Sequence, residues 1–189
     1  MKTIDLEWVS KERDRLDIQM YAHEVFFIAR SITPPVNFLI FGMGNDSIFW
    51  SGLNRGGRTA FIEDQPDWFD QISREHSSLE GYLVEYGTKL EEARRLINHP
   101  DWLAMDLPPA VRNTQWDVIL VDAPAGYENG TPGRMKSIFE ASRLIKQGGS
   151  IFVHDQERDV EKVYCERYLS QGRAVAETSG RALLRHYKY

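Results

Sequence analysis

The sequence predicts an α/β fold: a doubly wound, mostly parallel sheet that closes in an antiparallel hairpin and carries helices ahead of its first strand. Three observations carry that prediction. From Asn37 onward, short apolar runs alternate with amphipathic stretches at helical spacing, the pattern of parallel strands joined by right-handed helical crossovers. The run 38–41 stops at Gly42-Met43-Gly44 and a helical pattern starts at once, giving the strand, glycine turn and helix of a nucleotide site. The runs 173–177 and 182–187 flank Ser179-Gly180, too close for a crossover helix and right for a hairpin.

Residues 4–31 place Leu6, Val9, Leu16, Met20, Phe27 and Ile28 on an apolar stripe, predicting two helices that Thr33-Pro34-Pro35 terminates. The reading continues as strand 37–41, helix 46–54, strand 58–62, helix 66–75, strand 81–86 and helix 89–97. Strand 116–121, helix 132–146, strand 149–153 and helix 157–170 follow, before the terminal hairpin. Gly56-Gly57, Pro66, Pro132 and Gly148-Gly149 mark boundaries where helices stop and start. The stretch 99–115, with Pro100, Pro108 and Pro109, reads as a loop that helps to cover the site. A chain of 189 residues with this pattern makes one domain, the helices of 1–35 preceding a core of 36–189.

Composition narrows the function classes. With 42% hydrophobic and 27% charged residues the chain is globular. A net charge of −5 and the lack of a long Lys/Arg run exclude a nucleic-acid or membrane-surface role. The single Cys165 rules out an intrachain disulfide and a Cys-rich zinc site. With no signal-peptide pattern at the start and no apolar run of ~18 residues, a cytoplasmic protein with no membrane partner is expected.

In doubly wound sheets, ligands bind outside the carboxyl ends of the strands. Those ends here carry Gly42 to Asp46, Glu63-Asp64, Tyr86-Gly87-Thr88, Asp122-Ala123-Pro124 and His154-Asp155. Gly42 and Gly44 let the backbone approach a ligand, and Glu63, about 20 residues beyond the first glycine, is spaced to bind a ribose. Ser47 replaces the third glycine of a dinucleotide fingerprint, and no basic residue in the turn meets a pyrophosphate. A phosphate-free adenosyl ligand with a positive sulfonium and amino group suits this acidic rim better than NAD or FAD.

These segments resemble the glucuronoxylan 4-O-methyltransferase family of plant cell-wall biosynthesis. The resemblance rests on Phe38-Leu-Ile-Phe-Gly-Met-Gly-Asn-Asp-Ser47, Leu53-Asn-Arg-Gly-Gly-Arg-Thr-Ala-Phe-Ile-Glu-Asp64, Val84-Glu-Tyr-Gly-Thr-Lys89, Trp116-Asp-Val-Ile-Leu-Val-Asp-Ala-Pro-Ala-Gly-Tyr127, Pro132-Gly-Arg-Met135 and Val153-His-Asp155, in family order. It implies a Rossmann-like methyltransferase sheet of seven strands, S-adenosylmethionine as cofactor, and transfer of a methyl group to a sugar hydroxyl. The chain departs from the family pattern at Asn45 (His in the family), at Ala125 (Thr) and over 128–131, in loops that face the acceptor.

The resemblance and the strand ends together assign roles. Gly42, Gly44, Asp46, Ser47, Glu63 and Asp64 are candidate cofactor residues, with Tyr86 and Thr88 beside the adenine and helix capping as the other role open to Asp46. Asp122 is either the base or the anchor of the cofactor's amino group. His154 and Asp155 are candidates for a base or for ligands of a divalent cation. Arg134 is suited to grip a carboxylate of a glucuronate-type acceptor in bidentate fashion, with Tyr127 and Arg158 as neighbours. Three further readings stay open at this level: a small-molecule acceptor that is not a sugar, a nicotinamide- or flavin-dependent oxidoreductase, and a non-catalytic nucleoside-binding module whose N-terminal helices dock a partner.

Overall fold

The computed structural model describes residues 4–178 and 183–189. Its seven strands form one sheet in the order β3-β2-β1-β4-β5-β7-β6. They are β1 (Asn37–Phe41), β2 (Arg58–Glu63), β3 (Glu80–Leu83), β4 (Trp116–Val121), β5 (Ile145–Val153), β6 (Arg173–Glu177) and β7 (Arg185–Lys188). Strands β1 to β5 pair in parallel, whereas β7 runs antiparallel to β5 and to β6. The expected sheet and closing hairpin are therefore present, although Ser179, Gly180 and Ala182 lie outside the described residues.

Alternation along the strands divides the core into two layers. Leu39, Phe41, Ile119, Val121, Ile151 and Val153 face one side, where α8 (Met135–Leu144) and α9 (Asp159–Tyr168) cover them. Phe38, Ile40, Val118, Leu120 and Phe152 face the other, under α1 (Leu6–Leu16), α2 (Ala22–Ser31), α3 (Ser47–Leu53) and α4 (Pro66–Glu75). Val9, Ile18, Met20, Val25 and Ile28 are buried in that second layer. Helices α1 and α2 thus turn most of their apolar stripe toward this layer, with Leu6, 47% exposed, left outside it.

Several boundaries move for local reasons. Strand β3 ends at Leu83, so Tyr86 lies beyond it. The expected helix 89–97 is a 3-10 turn, Leu90–Glu92, followed by α5 (Ala93–Leu96). The 99–115 loop contains two short helices, α6 (Pro100–Leu103) and α7 (Pro109–Arg112), each opening on a proline whose missing N–H costs nothing in a first turn. Strand β5 starts at Ile145, and its register against β4 shifts between Trp116 and Val118, so Gly148, at φ 82°, sits within the strand rather than at a helix stop.

The C-terminal hairpin leaves a pH signature. His186 on β7 stacks on Phe152, with ring centroids 4.3 Å apart and an interplanar angle of 19°. Burial, helped by the charge of Lys188, pushes its pKa down to about 4. A base whose folded pKa lies below its unfolded value of about 6.5 contributes fully above that value, and the contribution is lost as pH falls toward 4. His186→Phe is therefore expected to flatten the loss of thermal stability between pH 6.5 and 4, measured as melting temperature against pH.

Candidate active site

The strand order reverses between β1 and β4, because the chain runs from β1 out to β3 and then crosses back to β4 on the other flank of β1. Such a switch point opens a crevice at the carboxyl ends of the two central strands. Gly42 and Asp122 stand there, the N–H of Asp122 donating to the Phe41 carbonyl at 3.0 Å. Gly42 has φ 122°, and a Cβ on it would meet the Cβ of Ala123 at 3.3 Å, so the turn between the strands needs glycine on two counts.

A cavity of about 600 Å³ fills this crevice, and Gly42, Gly44, Asp46, Glu63, Asp64 and Asp122 line it. Glu63, 5% exposed, accepts from the Met43 N–H through Oε2 at 3.0 Å and from the Asp64 and Gln65 N–H groups through Oε1 at 2.9 and 2.8 Å. Burial raises its pKa despite those donors. Asp46 does not cap α3 through its side chain: its Oδ2 accepts from Trp50 Nε1 at 2.7 Å. Burial, reinforced by the charge of Asp122, pushes its pKa up to about 6. Burial also raises Asp64. Three carboxyl groups with raised pKa around one cavity favour a ligand that brings positive charge.

The polar contacts of Ser47 hold the turn itself, its Oγ accepting from the Gly44 N–H at 2.9 Å, and it is fully buried. Tyr86 and Thr88 do not line the cavity. The Tyr86 hydroxyl accepts from Ser137 Oγ at 3.0 Å under α8, and Thr88 Oγ1 donates to the Pro132 carbonyl at 2.9 Å, because the chain turns inward once β3 has ended. Two contributors were missed: Trp68, whose Nε1 donates to the Met43 carbonyl, and the α1–α2 connection, whose Gln19 and Met20 line the cavity.

A second cavity of about 500 Å³ adjoins the first, and Gln19, Met20, Asp122, Ala125 and Tyr127 line both. Its far side holds His154, Asp155, Arg134, Arg158 and Glu24. His154 lies between carboxylates: Nδ1 is 2.9 Å from Asp122 Oδ1 and 3.6 Å from Asp155 Oδ1, and Nε2 is 3.4 Å from Glu24 Oε2. Burial works against its charge, but these carboxylates outweigh it and raise its pKa to about 10. Burial likewise works against ionisation of Asp122, and His154 with Arg134 and Arg158 holds its carboxyl below the usual range. At neutral pH His154 is thus a hydrogen-bond donor, and Asp122 is the ionised group facing both cavities.

The expected bidentate grip of Arg134 on an acceptor is not available. Its guanidinium is turned inward, 2.7 Å from Asp155 Oδ2 and bonded to the carbonyls of Asp122 and His154, and the residue is 5% exposed. Asp155, at φ 60° in the left-handed region, also meets Arg158 at 2.9 Å. Arg158 is the more open of the two arginines, with 26% side-chain exposure against 6%. Tyr127, 69% exposed, stands over both cavities. Arg134→Met would leave Asp155 short of a partner and take the guanidinium donors from three carbonyls, those of Asp122, Pro124 and His154. It is expected to destabilise the protein by about 3–5 kcal/mol, read from chemical denaturation.

Asp122, His154 and Asp155 each offer one donor atom, all within 4.8 Å of one another. Carboxylate and imidazole donors suit a divalent cation. Because Arg134 and Arg158 already neutralise Asp155, the set fits a cation only in exchange for the His154 proton.

Strand order, switch-point crevice and acidic cavity define the class: the fold is that of S-adenosylmethionine-dependent methyltransferases. A TehB-like methyltransferase of that kind from Corynebacterium glutamicum superposes with a TM-score of 0.59 at 11% identity, covering 96% of each chain. Within this class the chain belongs to the IRX15/IRX15L/GXM family, whose model matches residues 23–105 and 99–187. Glucuronoxylan 4-O-methyltransferase 1 of Arabidopsis thaliana is 40% identical over 174 residues, 81% of this chain and 61% of that protein. Arabinogalactan O-methyltransferase 2 of the same plant is 37% identical, covering 72% and 56%. The chain thus spans about three-fifths of the length of the curated relatives it matches. No helix among the described residues is long and apolar enough to cross a membrane.

Proposed function

We propose that the protein transfers a methyl group from S-adenosylmethionine to a hydroxyl of a glucuronate-type saccharide or a related small acidic acceptor. The observation that carries this reading is the pair of adjoining cavities sharing Asp122: an acidic one beside the glycine turn, and one with Arg158 and Tyr127 at its side. The named activities of the relatives, O-methylation of glucuronoxylan and of arabinogalactan, support it.

S-adenosylmethionine, when bound, supplies an electrophilic methyl group. The protein does the rest. Glu63 and Asp64 receive the ribose, and Asp46 and Asp122 place negative charge near the sulfonium and amino group. Asp122, its Oδ1 held by His154, takes the acceptor proton as the new bond forms, since a carboxylate cannot deprotonate an alcohol beforehand. Arg158 attracts the acceptor's carboxylate. Holding both partners in adjoining cavities supplies up to roughly 7–11 kcal/mol of the acceleration.

Calorimetric titration with S-adenosylhomocysteine, followed by methyl transfer assays on glucuronate-bearing oligosaccharides and on small acidic alcohols, tests this. Binding with transfer to an acidic acceptor is expected. Absence of binding would end the reading, and transfer only to neutral acceptors would remove its glucuronate half.

A further inference from the structure

Helix α2 contributes a charge to the site that the helical stripe does not foreshadow. Glu24 is fully buried among Val25, Ile28 and Ala29 on the face that packs on the sheet. A carboxylate in such a place is costly unless both oxygens are satisfied. Its Oε2 accepts from the Tyr21 N–H at 3.0 Å, the bond by which a glutamate in the first turn completes a capping box, and makes an ion pair with His154 Nε2 at 3.4 Å. Neither its Oε1 nor His154 Nε2 has a hydrogen-bond partner among the described residues. The cap of α2 accounts for one oxygen of Glu24; it does not account for the orphaned Oε1 or for the ion pair behind His154.

We infer that Glu24 is a positioning residue: held on α2 and facing His154 Nε2, it fixes the imidazole so that Nδ1 stays on Asp122 Oδ1 and the other carboxylate oxygen of Asp122 faces the acceptor. The pairing follows the general pattern in which a histidine bound to a working group is oriented through its second nitrogen. It also makes α1 and α2 part of the active site, since Gln19 and Met20 of their connection line both cavities. The inference rests on the proposed function, because positioning is meaningful only if Asp122 acts on an acceptor.

Two measurements on Glu24→Gln test it. The first is a double-mutant cycle with His154→Gln, reading kcat. Loss of kcat by roughly 10- to 100-fold is expected in the single variant. Little further loss is expected in the double variant, because both changes break one chain of contacts. Affinity for S-adenosylhomocysteine should stay at the parent's level, and so should melting temperature, because Gln accepts the same Tyr21 N–H; a merely structural glutamate would then leave kcat unchanged as well. A kcat within twofold of the parent, or losses that multiply in the double variant, would overturn the assignment. The second measurement needs no acceptor. Proton NMR of the imidazole should show a slowly exchanging Nε2–H in the parent that is lost in the variant, and an unchanged signal would overturn the assignment. If no acceptor is methylated by the parent, the proposed function fails while this signal still decides the contact. Should Glu24→Gln not fold, Glu24→Met, which removes the buried polar group, takes its place in both measurements.

Discussion

Asp122→Asn is expected to lower kcat by about 10²–10⁴-fold while leaving affinity for S-adenosylhomocysteine within about tenfold of the parent. The amide keeps the shape of the carboxylate, so the crevice between β1 and β4 should survive. The amide oxygen can still accept from His154 Nδ1, now 2.9 Å from Oδ1, and that contact turns the NH₂ toward the cavities. A hydrogen-bond donor then stands where the proton acceptor was, and the charge that completes transfer is gone. Single-turnover rates measured beside calorimetric affinities separate the two roles open to this residue. If affinity falls as steeply as kcat, Asp122 holds the cofactor's amino group and the base must be sought elsewhere.

The fold was legible because its signals are local and repeated. Apolar runs bounded by glycine and proline announced β1, β2, β4 and the hairpin, and β1 lies where the run ending at Gly42 placed it. What failed did so for one local and one long-range reason. Val84 to Tyr86 continue an apolar pattern past the true end of β3, so the pattern points Tyr86 to a cavity that it does not line. For Arg134 the sequence offers residue type alone. Only the fold brings Asp155 and the carbonyls of Asp122 and His154 around its guanidinium, contacts 12 to 21 residues away in sequence.

The residues missed altogether share a cause. Trp68 and Gln19 reach the donor cavity from neighbouring layers, and no spacing rule along one strand end could announce them. Glu24 did leave a trace: a glutamate four residues before Ile28, on the face of α2 that packs on the sheet. Three residues after Tyr21 a glutamate also caps the start of α2, so the trace does not by itself announce the ion pair with His154.

Replacing Glu63 should have the largest effect on donor binding, and the expected ranking of variants follows from counting lone pairs. An ionised carboxylate offers about four acceptor positions. Glu63 spends two on Oε1, for the Asp64 and Gln65 N–H groups, and one on Oε2, for Met43, leaving one position on Oε2 for a ribose hydroxyl. Glu63→Ala removes that position and strands the Met43, Asp64 and Gln65 N–H groups, of which each one left buried costs about 1–3 kcal/mol in stability. A melting temperature lower by roughly 2–10 °C is expected from that cost. Losing a charged hydrogen bond to the ligand adds a drop in affinity of about 10- to 100-fold. Glu63→Gln looks gentler but is not, since its NH₂ must face either Met43 or the Asp64 and Gln65 pair, a donor against donors. Calorimetry should therefore find Gln no better than Ala at this position. Parent-like affinity in Glu63→Gln would show that the carboxylate only supports the turn and that the ribose lies against other groups, with Asp64 the nearest acidic candidate on the cavity wall.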